Sequence, residues 1–298
     1  DEVIILEPWY ESYLPACRLA GAQPRFVPLR EPGYTFDPAE LRAAFTARTR
    51  LIFVNTPHNP TGRVFSRSEL AAIAALCCEF DVLVVTDEIY DRILFDGHEH
   101  VSIGSLDGMA ARTVTISGLG KTYAVTGWRV GWAIAAAPLT AEIRKVHDYV
   151  TVCAPTPFQA AGIVALDLPE TYYDAMCAQY ARRRAILLNA LDAAGLPYRA
   201  PEGAYYVMVD FSTIDWPVER FSRPAWTLDR AFAEYSAREV GVAVVPGSSF
   251  YAGLTVCGSD LRTWAGQGTT RVRINFGKRE QTLYEAAKRL RRLAENVS

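Results

Sequence analysis

The chain has 298 residues and a mass of 33.0 kDa, with 50% hydrophobic and 21% charged side chains, which excludes a small disulfide-stapled fold and leaves room for one large α/β domain or two modest ones. Basic and acidic residues number 31 and 33, a formal charge of −2, so there is no electrostatic case for a nucleic-acid or anionic-membrane partner. Six cysteines (Cys17, Cys77, Cys78, Cys153, Cys177, Cys257) without C-x-x-C spacing read as buried thiols of a reducing compartment, and apolar runs such as Val82 to Val85 fall far short of the ~20 residues of a membrane helix, so a cytoplasmic location is expected.

Taken in chain order, Val3 to Leu6 reads as a strand, and Leu51 to Val54, Val82 to Thr86 and Thr113 to Ile116 are apolar on both faces, the pattern of strands buried in a parallel sheet. Between them, Ser66-x-x-Glu69 opens a capped helix running to about Glu79, which gives a βαβ rhythm. Arg129 to Ala135 is a further strand candidate. After Pro157 the pattern becomes long helix, Phe158 to Leu168 and about Thr171 to Ala194, stopped by Gly195-Leu196-Pro197. Strand candidates Tyr205 to Phe211, Val242 to Val245 and Arg271 to Phe276 then interleave with helices Leu228 to Glu239 and Gln281 to Glu295. The boundary is expected near residue 167, and Trp216 to Trp226, with its prolines, reads as a surface excursion.

Ligands of open α/β sheets bind at the carboxyl ends of the strands. Those ends carry Asn55-Thr56-Pro57-His58-Asn59-Pro60-Thr61-Gly62, then Asp87-Glu88-Ile89-Tyr90, then Ser117-Gly118-Leu119-Gly120-Lys121-Thr122, with Arg129 shortly after. Each has an ordinary reading: a turn, a helix cap, a surface loop. Together they supply a carboxylate for a pyridine nitrogen, a lysine able to form an imine and an arginine for a phosphate, the groups that pyridoxal phosphate chemistry requires. Lysine is scarce, with Lys121, Lys145, Lys278 and Lys288 the complete set.

Asn59-Pro60-Thr61-Gly62, Asp87-x-x-Tyr90 and Lys121-Thr122-x4-Gly127-x-Arg129-x-Gly131 resemble the signature set of the class I/II aminotransferases of fold type I, over essentially the whole chain. Gly120 to Trp132, together with Asp1-Glu2-Val3-Ile4 and Glu7-Pro8, are most similar to the kynurenine/glutamine/methionine branch. The resemblance implies a pyridoxal phosphate-dependent transferase fold: a mostly parallel sheet sandwiched by helices in a large cofactor-binding domain, residues 1–167, and a smaller α+β domain, residues 168–298. It implies that Lys121 holds pyridoxal 5'-phosphate as an internal aldimine and acts as acid and base, that Asp87 keeps the pyridine nitrogen protonated, and that Tyr90 and Asn59 bond the phenolic oxygen. Arg129 and Ser117 would bind the phosphate, Tyr10 would stack on the ring, and Arg273 would clamp the substrate α-carboxylate. Arg271, two residues earlier, shares that strand face, so spacing does not separate the two arginines. The implied reaction moves an amino group between an L-amino acid, aromatic or large neutral, and a 2-oxo acid, in a homodimer.

The sequence departs from the family pattern in two places. A small hydroxyl residue is expected three positions before the lysine, where Gly118 stands, with Ser117 one step further away. The segment that the family carries ahead of the Asp-Glu-Val strand, with its phosphate loop, is not in this sequence, which therefore reads as a piece of a longer polypeptide. A nucleotide phosphate loop is disfavoured because position 115, five before Gly120, is Thr. His98-x-His100 reads as a solvated turn, His58 as structural, and no metal is expected. Two other readings of the same fold are a lyase or decarboxylase and the effector-binding half of a transcription regulator.

Overall fold

The computed structural model describes residues 1–224, 226–252 and 268–295. The first half of the chain forms β1 (Glu2–Glu7), α1 (Tyr13–Leu19), β2 (Gln23–Pro28), α2 (Pro38–Ala44), β3 (Thr49–Asn55), α3 (Arg67–Glu79), β4 (Leu83–Asp87), β5 (Thr113–Gly118), α4 (Leu119–Thr122) and β6 (Gly131–Ile134). These strands make one six-stranded sheet in the order β2-β1-β3-β4-β5-β6, parallel throughout except for β6, which runs antiparallel to β5. The doubly apolar strands fall inside the strand order, but burial on both faces does not hold throughout, since Ile116 of β5 is 40% exposed. Ile4, Ile52, Val54 and Val84 face Leu70, Ile73 and Cys77 of α3, while Val3 and Ile5 turn to the other side against Trp9, Tyr13 and Cys17. Burying each such aliphatic side chain contributes about 1.5–3 kcal/mol. The Ser66–Glu69 capping box forms as the sequence predicts, and both Glu69 carboxylate oxygens also accept from Arg63 Nη2, at 2.8 and 2.7 Å.

The second half contains α5 (Ala137–Val150), α6 (Thr156–Leu166), α7 (Glu170–Ala193), β7 (Tyr206–Asp210), α8 (Val218–Phe221), α9 (Leu228–Tyr235), β8 (Val245–Pro246), β9 (Arg271–Asn275) and α10 (Glu280–Glu295). Its antiparallel sheet, ordered β7-β9-β8, packs with α7 and α10 around Leu187, Leu191, Val207, Phe232, Ile274 and Phe276. Tyr90, Ile93 and Phe95 from the first half enter this same core. The turn after Asn59 is tied to it as well: the Gly62 carbonyl accepts the N–H groups of Glu202 and Gly203.

Three expectations need correction. Trp216 to Trp226 is not a surface excursion: Trp216 and Phe221 are buried, and Trp216 stacks on Tyr235 at 5.5 Å. Apolar aromatic area outweighs the turn signal of the flanking prolines. The thiols are not uniformly buried; Cys17 and Cys77 are, Cys177 is half-buried, and Cys78 and Cys153 are exposed, all five free, while Cys257 lies outside the described residues. The strand expected at Val242 to Val245 is reduced to Val245–Pro246, because Gly241 takes the left-handed region at φ 77° and the chain reaches β9 late. Among the described residues, no helix is long and apolar enough to cross a membrane.

Candidate active site

The carboxyl ends of β3, β4 and β5 open on one cavity of about 500 Å³, lined by Tyr10, Asn59, Asp87, Tyr90, Ser117, Lys121, Arg129 and Arg273. All eight residues singled out in the sequence are thus brought together. Strand register does much of this, since Asn55 at the end of β3 pairs with Asp87 at the end of β4. The Asn55 side chain donates to the Asp87 carbonyl at 2.8 Å and accepts the Asn59 N–H at 2.8 Å, so one buried amide locks the two loop entrances together.

Asp87 accepts a hydrogen bond from the Tyr13 hydroxyl at 2.8 Å and another from the Ile89 N–H at 3.3 Å. Burial still dominates and lifts its pKa above the ordinary carboxylate value, against those two bonds and the nearby Lys121 charge. Lys121 is half-buried on α4, its Nζ 5.9 Å from the centre of the Tyr205 ring. Burial first, then the positive charge of Arg129, and to a lesser degree that of Arg273, hold its amine below the usual lysine range, with Asp87 opposing. A lysine that is more readily neutral is the nucleophile imine formation needs. Tyr90 is buried, its hydroxyl 3.0 Å from that of Tyr206, and burial raises its pKa well above the ordinary phenol value. It therefore serves as a neutral hydrogen-bond group.

The geometry separates the two candidate arginines. Arg271 is committed to Glu31, at 3.0 and 2.7 Å, and to Asp210 at 2.6 Å. Arg273 instead donates to Asn59 Oδ1 at 2.7 Å and lies against the rings of Tyr206 and Phe250, 4.4 and 4.7 Å from their centres. Arg129 adopts φ 56° and donates to the Thr126 carbonyl at 3.1 Å. Among the described residues, neither Arg129 nor Arg273 is paired with a carboxylate, so the cavity holds two open anion sites with a lysine and a carboxylate. That donor set fits pyridoxal phosphate and a substrate carboxylate.

Gly118 has a steric reason. A Cβ there would lie 2.8 Å from the Val130 carbonyl oxygen and 2.9 Å from Gly131 Cα, because β5 and β6 approach closely at this pair. The Ser117 hydroxyl reaches the cavity from one residue earlier, donating to the Glu88 carbonyl at 3.5 Å. Tyr10, at the mouth, meets the Tyr13 ring edge-on at 5.7 Å.

Sequence reasoning missed Tyr13, Tyr206 and the cavity-lining Glu11 and Thr126. The signal for Tyr13 was only its place three residues after Tyr10, whose carbonyl accepts the Tyr13 N–H at 3.1 Å in the turn that leads into α1. The solvated turn expected at His98-x-His100 is corrected in part: His100 Nε2 sits 2.9 Å from Glu88 Oε2, while Thr86 and Ser102 donate to the other oxygen at 3.0 and 2.8 Å. His58 is buried and bonded to Thr61 at 2.7 Å, and burial, with the Arg63 charge, pushes its pKa down to about 3.

Residues 1–290 match the family model for aminotransferase class I and II. The chain is 36% identical over 267 residues to kynurenine–oxoglutarate transaminase 3 of Mus musculus, covering 84% of this chain and 58% of that protein. It is 36% identical over 294 residues to the methionine aminotransferase of Escherichia coli (strain K12), covering 98% and 70%. The solved structure of N-succinyldiaminopimelate aminotransferase from Mycobacterium tuberculosis superposes with a TM-score of 0.87 at 36% identity, covering 99% of this chain and 72% of that one. The chain spans 58% to 64% of the length of the mammalian kynurenine transaminases from mouse, human and rat. With that likeness and this cavity, the chain belongs to the class I and II aminotransferase family and has its fold type I architecture.

Proposed function

We propose that this chain carries the catalytic centre of a pyridoxal phosphate-dependent aminotransferase acting between an L-amino acid, aromatic or large neutral, and a 2-oxo acid. The observation that carries this is a lysine of depressed pKa sharing one cavity with a buried carboxylate and two arginines that lack a carboxylate partner among the described residues. Pyridoxal phosphate, when bound, supplies an aldehyde that condenses with amines and a ring that draws electrons from the substrate α-carbon. Lys121 attaches the cofactor and then carries the proton at the substrate α-carbon, first as base and then as acid. Asp87, oriented by Tyr13, holds the proton on the pyridine nitrogen. Tyr90 and Asn59 would bond the phenolic oxygen, Arg129 and Ser117 would take the phosphate, and Tyr10 would stack on the ring. Arg273, steered by Asn59, receives the α-carboxylate in a planar fork.

The substrate class is supported by the aromatic walls Tyr10, Tyr90 and Tyr206 and by Glu11, whose negative charge disfavours an acidic donor. It also accords with the kynurenine and methionine named for two relatives. A division near residue 167 accords with a six-stranded sheet built entirely before it and a three-stranded sheet built entirely after it. A homodimer is supported by the apolar side chains that α5 and α6 leave open, Val146, Tyr149, Val150, Ile163 and Val164. Cys17 and Cys77, used as packing groups, accord with a reducing cytoplasm.

The test is the visible spectrum of the protein with pyridoxal phosphate, before and after an amino-acid donor, beside Lys121→Ala. A band that depends on Lys121 and converts to the pyridoxamine form with donor is the expected result. A Lys121-dependent band that no amino acid converts would refute transamination and point to the effector-domain or other-reaction readings. A fully active monomer in light scattering would remove the homodimer, and a preference for acidic donors would remove the substrate class.

A further inference from the structure

Asp229, on α9, is fully buried and has no part in the steps above. One carboxylate oxygen accepts the Ser248 N–H at 2.7 Å, and the other, also buried, has no hydrogen-bond partner among the described residues. Burial raises its pKa above the usual carboxylate value, against the nearby hydroxyls of Thr227 and Ser248 and the N–H groups of Ser248 and Arg230, which lower it. Its bond fastens the turn Gly247–Phe250 that follows β8. That turn is pressed against β9: a Cβ on Gly247 would come within 2.6 Å of the Arg271 carbonyl oxygen. At its far end, the Phe250 carbonyl accepts the Trp9 N–H at 3.0 Å, beside Tyr10, and the Phe250 ring lies 4.7 Å from the Arg273 guanidinium. Val245, at the start of β8, pairs with Arg273 itself.

We propose that Asp229 is a positioning residue for substrate-carboxylate recognition: by holding the Ser248 N–H it fixes the Gly247–Phe250 turn, and through the Phe250 ring it sets the Arg273 guanidinium beside Asn59. This rests on the reading of Arg273 as the carboxylate arginine. Asp229 touches neither substrate nor cofactor, so its effect falls on binding of the carboxylate rather than on proton transfer at Lys121.

The experiment uses the holoenzyme and its Asp229→Ala, Asp229→Asn, Phe250→Leu and Arg273→Gln variants. Calorimetry measures binding of 3-phenylpropionate, a carboxylate without an amine, and single-turnover spectra compare L-phenylalanine with phenethylamine, an amine without a carboxylate. Asp229→Ala is expected to weaken 3-phenylpropionate at least tenfold and to raise KM for L-phenylalanine by the same factor. Its kcat stays within threefold and its reaction with phenethylamine within twofold. Asp229→Asn, whose amide oxygen accepts the same N–H, stays within threefold of the parent throughout. Phe250→Leu leaves Asp229 in place and reproduces the KM rise, which keeps the test decisive if Asp229→Ala does not fold. The proposal is overturned if Phe250→Leu or a folded Asp229→Ala binds 3-phenylpropionate like the parent. Equal losses for amine and amino acid overturn it too, since they mark a general structural role. Binding of 3-phenylpropionate that Arg273→Gln leaves unchanged instead refutes the reading of Arg273, and the positioning role with it.

Discussion

Tyr13→Phe removes one oxygen atom and almost nothing else. The ring stacks face to face on Phe53, with centroids 4.8 Å apart and planes 3° from parallel, and phenylalanine keeps that contact. What is lost is the hydrogen bond to Asp87 Oδ2 at 2.8 Å, leaving Asp87 with the longer bond from the Ile89 N–H. A hydrogen bond to a buried carboxylate contributes about 1.5–3 kcal/mol, and one to a neutral carboxyl about 1 kcal/mol. The difference, about 1–2 kcal/mol, raises the Asp87 pKa further beyond its already elevated value. A raised carboxylate pKa means that the folded state binds the proton more tightly than the unfolded one, so stability falls as the pH rises through the folded-state value. The penalty of Tyr13→Phe is therefore about 1 kcal/mol for the protonated carboxyl and about 2–3 kcal/mol for the charged one, so it grows as the pH is raised from about 4 to 8. Urea unfolding of both proteins without added cofactor across that range measures it. The acid limb of kcat/KM moves to higher pH in the same variant. A penalty independent of pH would show that the phenol acts through packing, and would remove Tyr13 from the account of how Asp87 is held.

Other outcomes follow from the same geometry. Arg271→Gln breaks the bridge to Glu31 and Asp210 and lowers stability by about 2 kcal/mol, between the limits for exposed and buried pairs, with KM unchanged; Arg273→Gln raises KM on the order of 100-fold with little loss of stability. Calorimetric unfolding and steady-state kinetics on the pair decide this, and the reverse pattern would exchange their roles. Gly118→Ser restores the family hydroxyl yet lowers stability by about 1–3 kcal/mol and weakens cofactor retention, since its Cβ meets the β6 backbone. Tighter cofactor binding on dialysis would contradict that. His58, with its pKa pushed down to about 3, stays neutral in the folded state while the unfolded chain takes up a proton below about pH 6.5. Its stabilising contribution is fully present above that pH and is lost as the pH falls towards 3, so His58→Asn flattens the acid limb of the stability profile in urea titrations between pH 7.5 and 4.

The strand β4 was legible because one of its faces is buried and the other half-buried, which leaves an unbroken apolar run from Val82 to Thr86. The edge strand β2 was not: Val27 is its one fully buried residue, so it carries no such run. Helix α5 buries no side chain, which deprives its apolar positions of an inward face to mark. At the site, residue type and chain order marked Asn59, Asp87, Tyr90, Ser117, Lys121 and Arg129, and the family resemblance supplied Tyr10 and Arg273. What they could not supply were contacts between distant segments. Strand parity made Arg271 and Arg273 equivalent; Glu31, 240 positions from Arg271, separates them. Tyr13 reaches Asp87 across 74 positions and left nothing in the local pattern beyond a phenol three residues after Tyr10.

The Asn59–Arg273 bond joins residues 214 positions apart. At about 5–20 residues per second on the ribosome, the arginine follows the asparagine by roughly 10–40 s. Asp87, Lys121 and Arg129 are all synthesised within that interval, so the groups assigned to the cofactor are made well before the group assigned to the substrate carboxylate. A nascent chain that ends between β6 and β9 thus contains the lysine and the arginine proposed for the cofactor but not the arginine proposed for the substrate carboxylate. The order in which the chain is made separates the synthesis of the two sets of proposed groups in time.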